Sequence, residues 1–206
     1  MPTPIERETG IVQPPEVIAA QDNRRAAITA TITLGFATDP VARWVWPDPA
    51  TYFEVQPKFV DAFGGNGFAH GSVFETSCKR AAAMWLPPGV EPDSERMAAL
   101  AVESVAPERM EEVGAFMGQM AEYHPQEPCW YLPLIAADPA ATGQGLGAAL
   151  MKHALAVVDE AGLPAYLESS NPRNVSLYER YGFEVMGEIR TEHSPVMRPM
   201  IRAARA

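Results

Sequence analysis

The chain has 206 residues, a formal net charge of −10, a pI near 4.9 and 47% hydrophobic residues, enough for one α/β domain with a real core. That charge opposes binding to phosphate backbones, which takes clustered Lys and Arg, so no nucleic-acid partner is expected. Cys78 and Cys129 are too few for a disulfide framework, no apolar run approaches membrane-spanning length, and nothing before residue 20 reads as a signal peptide, so a cytoplasmic protein with no membrane partner is expected.

Residues 1 to 15, with four prolines, read as an extended arm, and residues 16 to 206 as a single domain. A short strand follows at Val17 to Ala20. Asp22 and Asn23 offer an N-cap for a helix across Arg24 to Phe36, whose Ile28, Ile32 and Phe36 recur every four residues. Asp39-Pro40 is expected to close that helix. The aromatic stretch Trp44, Trp46, Phe53, Phe59 and Phe63 reads as helix broken by Pro47, Pro49 and Pro57, and aromatics at this density point first to core.

Gly64 to Gly67 read as a turn, and Phe68 to Thr76 and Arg80 to Pro87 as antiparallel strands joined through Cys78 and Lys79. Residues 89 to 95 read as a loop and 95 to 123 as two short helices broken near Pro107. In the second of these, Met110, Val113, Met117 and Met120 form a stripe at helical spacing. The stripe fits core packing or, alternatively, a flexible substrate-lining wall.

The most informative part is 128–183. An apolar run, Tyr131 to Ala137, ends at Asp138-Pro139, and a turn carrying Gly143, Gly145 and Gly147 leads into a helical pattern from near Leu146. Bare glycines at a helix start leave its first N–H groups accessible and partly positive, a cradle for phosphates. Pro133, inside the run, fits only an edge or bulged strand position. Ala165 to Ser169 read as another strand, after which Asn171 and Pro172 open a helix to Tyr181 that Gly182 stops. Asn171 and Tyr178 lie two helical turns apart and share a face. Phe183 to Arg190 and Val196 to Ala203 read as closing antiparallel strands.

The run from Asp138-Pro139 to Thr142-Gly143-Gln144-Gly145-Leu146-Gly147 resembles the acetyl-CoA loop of the GNAT N-acetyltransferase superfamily, Arg/Gln-x-x-Gly-x-Gly/Ala. Asn171 through Tyr178-Glu179-Arg180-Tyr181-Gly182-Phe183 resembles its second cofactor motif. The wording of residues 122 to 183 is similar to the puromycin N-acetyltransferase-like branch. Thr142 stands where the family pattern has Arg or Gln, a position that works largely through its backbone.

The resemblance implies a mixed, mostly antiparallel sheet flanked by helices, with one strand splayed at the acetyl-CoA site. It implies an acetyl-CoA-dependent transfer of acetyl to a primary amine in a ternary complex. It also implies cofactor contacts from the Ile135 and Ala137 backbone and from Thr142, Gly143, Gly145, Gly147, Ala148, Asn171 and Tyr178.

Amine acetylation needs a neutral nucleophile and a proton for the departing thiolate. A phenol near pKa 10 is a competent donor toward a thiol near 8.5, so Tyr178 is the candidate general acid; the plain alternative is a core tyrosine. Asn171 has the plain alternative of a helix cap. Glu168, His124, Asp39 or a water chain stand open as general base. Lys152, with Asp159 seven residues on, reads as a solvated helix face and His153 as partly buried. Cys129 reads as core. No cluster has metal-ligand spacing, so no metal is expected.

Two rivals differ in class. Gly143-x-Gly145-x-x-Ala148 satisfies a dinucleotide fingerprint with Glu168 suitably placed for a ribose, but only a short tail follows it, against the long alternating domain that fold requires. A degenerate acetyl-CoA-binding module is the non-enzymatic rival. For the acceptor, an acidic protein attracts cations, and the aromatic first third suits a small hydrophobic amine over a peptide, which stays an alternative. Oligomeric state is left open.

Overall fold

A computed structural model describes residues 15–205; the arm expected over residues 1 to 15 lies outside them apart from Pro15. The order is β1 (Val17–Ala19), α1 (Arg25–Gly35), α2 (Pro40–Val45), α3 (Pro49–Gly64), β2 (Val73–Thr76), β3 (Ala81–Leu86), α4 (Ser94–Ser104), α5 (Met110–Tyr123), β4 (Trp130–Ala137), α6 (Leu146–Glu160), β5 (Ala165–Ser169), α7 (Pro172–Arg180), β6 (Glu184–Val185) and β7 (Arg198–Arg202). This is the order expected from the sequence: strand, helices, three strands with a helical insertion, helix, strand, helix, two strands.

The strands form one seven-stranded sheet, β1-β2-β3-β4-β5-β7-β6, in which only the β4–β5 pair is parallel. α6 packs on one face through Leu150, Met151, Ala154, Leu155 and Val158 against Phe74, Ala83, Trp85, Leu132 and Leu167. α1 and α3 cover the other through Ile28, Ile32 and Val60 against Ala82, Met84 and Leu134. Period-two alternation along the central strands thus feeds two cores, one per face.

Several local expectations are corrected. Asp22 and Asn23 do not cap α1. They form a 3₁₀ turn, Asp22–Arg24, in which Asp22 accepts from Arg25 Nε at 2.8 Å. Asp39 does not close α1 but opens α2, its Oδ1 accepting from the Val41 and Ala42 amides at 3.0 and 3.1 Å. The shift follows from the Asp-Pro pair itself, an N-cap followed by an N1 proline.

Pro57 lies inside α3 rather than breaking it. The carbonyl that loses its donor belongs to Phe53, which is 53% exposed, so water can serve it. Residues 65 to 70, expected as turn and strand start, form a 3₁₀ helix, so β2 begins only at Val73. β6 is two residues long, continued by an isolated Ile189–Met197 bridge. Asp159 does not mark a solvated face. It takes both guanidinium nitrogens of Arg202, itself 2% exposed, at 2.6 and 2.9 Å.

Lys152 is exposed as expected, and His153 is half-buried with its ring edge-on to Phe74 at 5.0 Å. Among the described residues no helix is long and apolar enough to cross a membrane.

Candidate active site

β4 parts from β5 after Leu132. Their parallel register ends at Leu132↔Leu167, and beyond it β5 pairs only with β7, through Glu168↔Pro199 and Ser169↔Arg198. The β3–β4 register slips at the same place, from Leu86↔Tyr131 to Met84↔Leu134, which puts Pro133 in a bulge. Past the bulge the Asp138 amide donates to the Arg80 carbonyl at 2.7 Å. Amide directions alternate along a strand, so the N–H groups of Ile135 and Ala137 face the open wedge. Gly35 of α1 buttresses this arm, since a Cβ there would stand 2.6 Å from the Ala136 Cβ and 2.9 Å from the Ala137 carbonyl.

The loop after β4 turns on Gly143 and Gly145, whose φ values of 82° and 76° lie in the left-handed region that disfavours other residues. Nothing lies within 4 Å of where their Cβ atoms would be. Ala149 is the first residue of α6 to donate back, to the Gly145 carbonyl at 3.0 Å, so the amides of Leu146, Gly147 and Ala148 are left at the helix mouth. Gly147 has no left-handed backbone, and a Cβ there would meet only Leu177 Cδ2, at an ordinary 3.7 Å.

α7 begins beside this mouth. Asn171 is its N-cap, Oδ1 accepting from the Arg173 amide at 3.1 Å. The Tyr181 hydroxyl donates to the Ala148 carbonyl at 2.7 Å and ties the end of α7 to the start of α6. Tyr178 is buried in the α6-side core with Phe183 edge-on to it. Burial first, and the Asp39 charge second, hold its phenol pKa well above the usual tyrosine value.

The wedge, the helix mouth and Tyr178 all open onto one cavity of ≈ 1170 Å³. Ile135, Ala137, Thr142, Gly143, Gly145, Gly147, Ala148, Asn171 and Tyr178 all line it. Its far wall is apolar, with Trp46 and Phe59 of the aromatic stretch and Met110, Val113, Met117 and Met120 of α5. Val113 and Met120 of the methionine stripe are buried, as core packing expects, and all four residues border the cavity.

The candidate bases are not equivalent. Glu168 lines the cavity at the tip of the wedge, and burial lifts its carboxyl to about 7 against the opposing hydrogen bond from Tyr131. The Tyr131 hydroxyl donates to Glu168 Oε2 at 2.8 Å. Asp39 also lines the cavity, but its oxygens are committed: Oδ1 caps α2 and Oδ2 accepts from Ser170 Oγ at 2.6 Å. His124 is absent from this lining. It borders a second cavity of ≈ 580 Å³ with Glu91 and Cys129, its ring edge-on to Tyr131 and Tyr166 at 4.9 and 5.0 Å. Desolvation lowers the His124 pKa and pushes the buried Cys129 thiol up to about 11, which suits the core position expected of Cys129.

Sequence reasoning did not find Tyr131 as the partner of Glu168, nor the Ser170–Asp39 bond. No local signal joins residues 37 and 131 positions apart. Among the described residues no group of three or more His, Cys, Asp or Glu stands close enough to hold a metal ion.

The model of the Acetyltransferase (GNAT) family matches residues 78–183, which hold the wedge, the glycine loop and α7. An uncharacterised N-acetyltransferase of Schizosaccharomyces pombe is 37% identical over 54 residues, 26% of this chain and only 22% of that protein's length. Among solved structures, one described as histone acetyltransferase HPA2 and related acetyltransferase from Corynebacterium glutamicum superposes with a TM-score of 0.67 at 23% identity, covering 94% of this chain and 98% of that one. A mosquito arylalkylamine N-acetyltransferase-like protein gives 0.56 at 11% identity over 91% and 98% of the two chains. A Drosophila melanogaster polyamine N-acetyltransferase gives 0.56 at 13% over 91% and 99%. At these identities the likeness is one of fold, and it sets aside the doubly wound dinucleotide fold considered from the glycine spacing.

Proposed function

The chain belongs to the GNAT acetyltransferase family, and on that premise we propose that it moves an acetyl group from acetyl-CoA to the primary amine of a small molecule, by direct transfer with both substrates bound. The observation that carries this reading is the single cavity that joins the strand wedge and helix mouth at one end to an apolar chamber at the other, with Glu168 between them.

The site fits the cosubstrate. The Ile135 and Ala137 amides offer a strand edge for pantetheine, and Thr142, Gly143, Gly145, Gly147 and Ala148 surround a helix N-terminus suited to pyrophosphate. Asn171 borders the same space. Acetyl-CoA supplies the acyl group as a reactive thioester. Glu168 takes a proton from the acceptor ammonium, and a carboxyl near 7 is matched to that task at neutral pH. The freed amine forms the new C–N bond as the acyl C–S bond breaks. Tyr178, kept protonated by its burial, hydrogen-bonds the departing sulfur and passes to it the proton that the new amide nitrogen sheds, ending as phenol.

The acceptor class rests on charge and lining. Asp39 and Glu168 are the acidic groups of the cavity, while Arg173 and Arg180 both belong to α7 on the cofactor side. A small cationic amine with an apolar body, as in the puromycin-like branch, suits such a chamber. The names of the neighbours that act on arylalkylamines and polyamines support a small amine; that of HPA2 supports a protein acceptor. The same reading takes residues 16 to 206 as one catalytic domain and the cell compartment as cytoplasmic, in keeping with Cys78 and Cys129 both being free thiols.

A thiol-release assay with acetyl-CoA over simple amines, aminonucleosides and peptides tests the proposal. Turnover with small amines above peptides, falling as salt screens the acidic field, is the expected result. Preference for peptides overturns the acceptor class. No thiol release from any acceptor, with acetyl-CoA still bound, indicates a binding module instead.

A further inference from the structure

We propose that Gln56 reads the distal end of the acceptor, selecting amines that carry a hydrogen-bonding group at the end remote from the reacting nitrogen. This rests on the acetyl-transfer reading and deepens it.

Gln56 sits in the middle of α3, is 2% exposed and lines the cavity. Its Oε1 is buried with no hydrogen-bond partner in the structure. A buried amide left unpaired is costly, and replacing it with an apolar residue of the same size would remove the cost. No protein group answers Gln56 Oε1, so a ligand entering the apolar chamber would find there a polar atom already desolvated.

The position of that group relative to the chemistry follows from the helix. Gln56, Phe59 and Phe63 are spaced three and four apart, so they share one face of α3, and all three border the cavity. The Phe59 and Phe63 rings meet tilted at 42° with centroids 5.3 Å apart, Phe63 meets Tyr131 at 5.9 Å, and Tyr131 holds Glu168. The face therefore runs from an orphan amide, across two aromatic rings, to the carboxylate that takes the amine's proton. At 1.5 Å per residue, the helix rises about 10 Å from Gln56 to Phe63, and Tyr131 carries the face on from there to Glu168. An acceptor laid along it places its ammonium at Glu168, an aromatic or aliphatic body on Phe59 and Phe63, and a hydroxyl or amide at Gln56. Either orientation of the Gln56 amide serves a hydroxyl, which both donates and accepts.

The test uses a matched pair of amines. One is 4-(4-aminobutyl)phenol, which carries a hydroxyl at the end remote from its nitrogen; the other is 4-phenylbutylamine, which lacks the hydroxyl. With wild-type protein the kcat/KM ratio should favour the phenol roughly tenfold, because a site with a buried unpaired polar group discriminates against the analogue that leaves it unpaired. In Gln56→Leu and in the near-isosteric Gln56→Met the ratio should fall toward one, and the melting temperature should stay level or rise. Calorimetric titration of both amines against protein holding CoA gives the same ratio from Kd values where turnover is low. A ratio near one in wild type, or a preference unchanged in either folded variant, overturns the proposal. CoA that fails to titrate at all removes the acetyl-transfer reading, and this inference with it.

Discussion

The Tyr131 hydroxyl donates to Glu168 Oε2 at 2.8 Å, across the point where β4 and β5 part. Tyr131 is in register with Tyr166, and Glu168 lies two residues further along β5, so both side chains project from the same face of the sheet. The bond stabilises the charged carboxylate while burial opposes it, and burial wins, leaving Glu168 near 7 instead of its ordinary 4.5. If Glu168 is the base, kcat/KM falls as pH drops below about 7. Tyr131→Phe removes the bond that favours the charged form, so the acidic limb should move up by about one pH unit. The pH–rate profile of the two proteins is the check, and an unmoved limb would detach Glu168 from the chemistry.

The same shift has a stability sign. Folded Glu168 holds its proton up to about 7 whereas the unfolded chain releases it near 4.5, so the folded state binds more protons between those values. Stability should therefore fall as pH rises through that window and level off above it, by this group's contribution. Glu168→Gln should flatten that part of the curve in urea unfolding measured from pH 4 to 8.

Tyr178→Phe keeps the buried ring and removes only the hydroxyl at the cavity wall. Turnover should drop roughly 10- to 1,000-fold, the range of a lost general acid, with acetyl-CoA affinity nearly unchanged. Turnover equal to wild type would return Tyr178 to a packing role.

At Gly145, where φ is 76°, a branched residue is strained and crowds the helix mouth. Acetyl-CoA at about a hundred times its Kd should stabilise the wild type by roughly 2.7 kcal/mol. Gly145→Val should lose most of that gain. An undiminished thermal shift in the variant would remove the loop from the binding site.

Arg202 is buried behind α6, with Nε on the Tyr181 carbonyl at 2.9 Å and both terminal nitrogens on Asp159. Asp159→Ala strands that guanidinium and should cost roughly 2 to 3 kcal/mol, less than for a fully enclosed pair because Asp159 is partly exposed. The pair's hydrogen bonds hold the Asp159 pKa below its ordinary 3.8, so this stability is present above that value and is lost as pH falls through the depressed one. Urea unfolding of the variant at neutral pH gives the cost; a loss under 0.5 kcal/mol would mean the pair is idle.

The sequence by itself determined the units whose causes lie within a few residues. Gly143 and Gly145 supply the left-handed turns before α6, Asn171 and Pro172 begin α7, and Gly182 ends it at φ 87°. Each is a statement about one residue's backbone freedom or one side chain's reach to a nearby amide, which consecutive letters can carry. The same locality explains the mistakes. Asp39-Pro40 is a stop and a start at once, and Pro57 breaks a helix only when the orphaned carbonyl has no water to meet.

Tertiary structure alone decided which distant groups meet. The parallel register of β4 on β5 brings Tyr131 to Glu168, the bulge at Pro133 opens the wedge, and the residue after β5, Ser170, reaches Asp39 at the start of α2. Trp46 at the end of α2 and Gln56, Met97 and Met117 of α3, α4 and α5 come to one chamber. Their spacing says only that each has a buried face; what that face looks onto is set by the sheet order and the splay, because an apolar stripe packs on a core or a cavity with the same pattern.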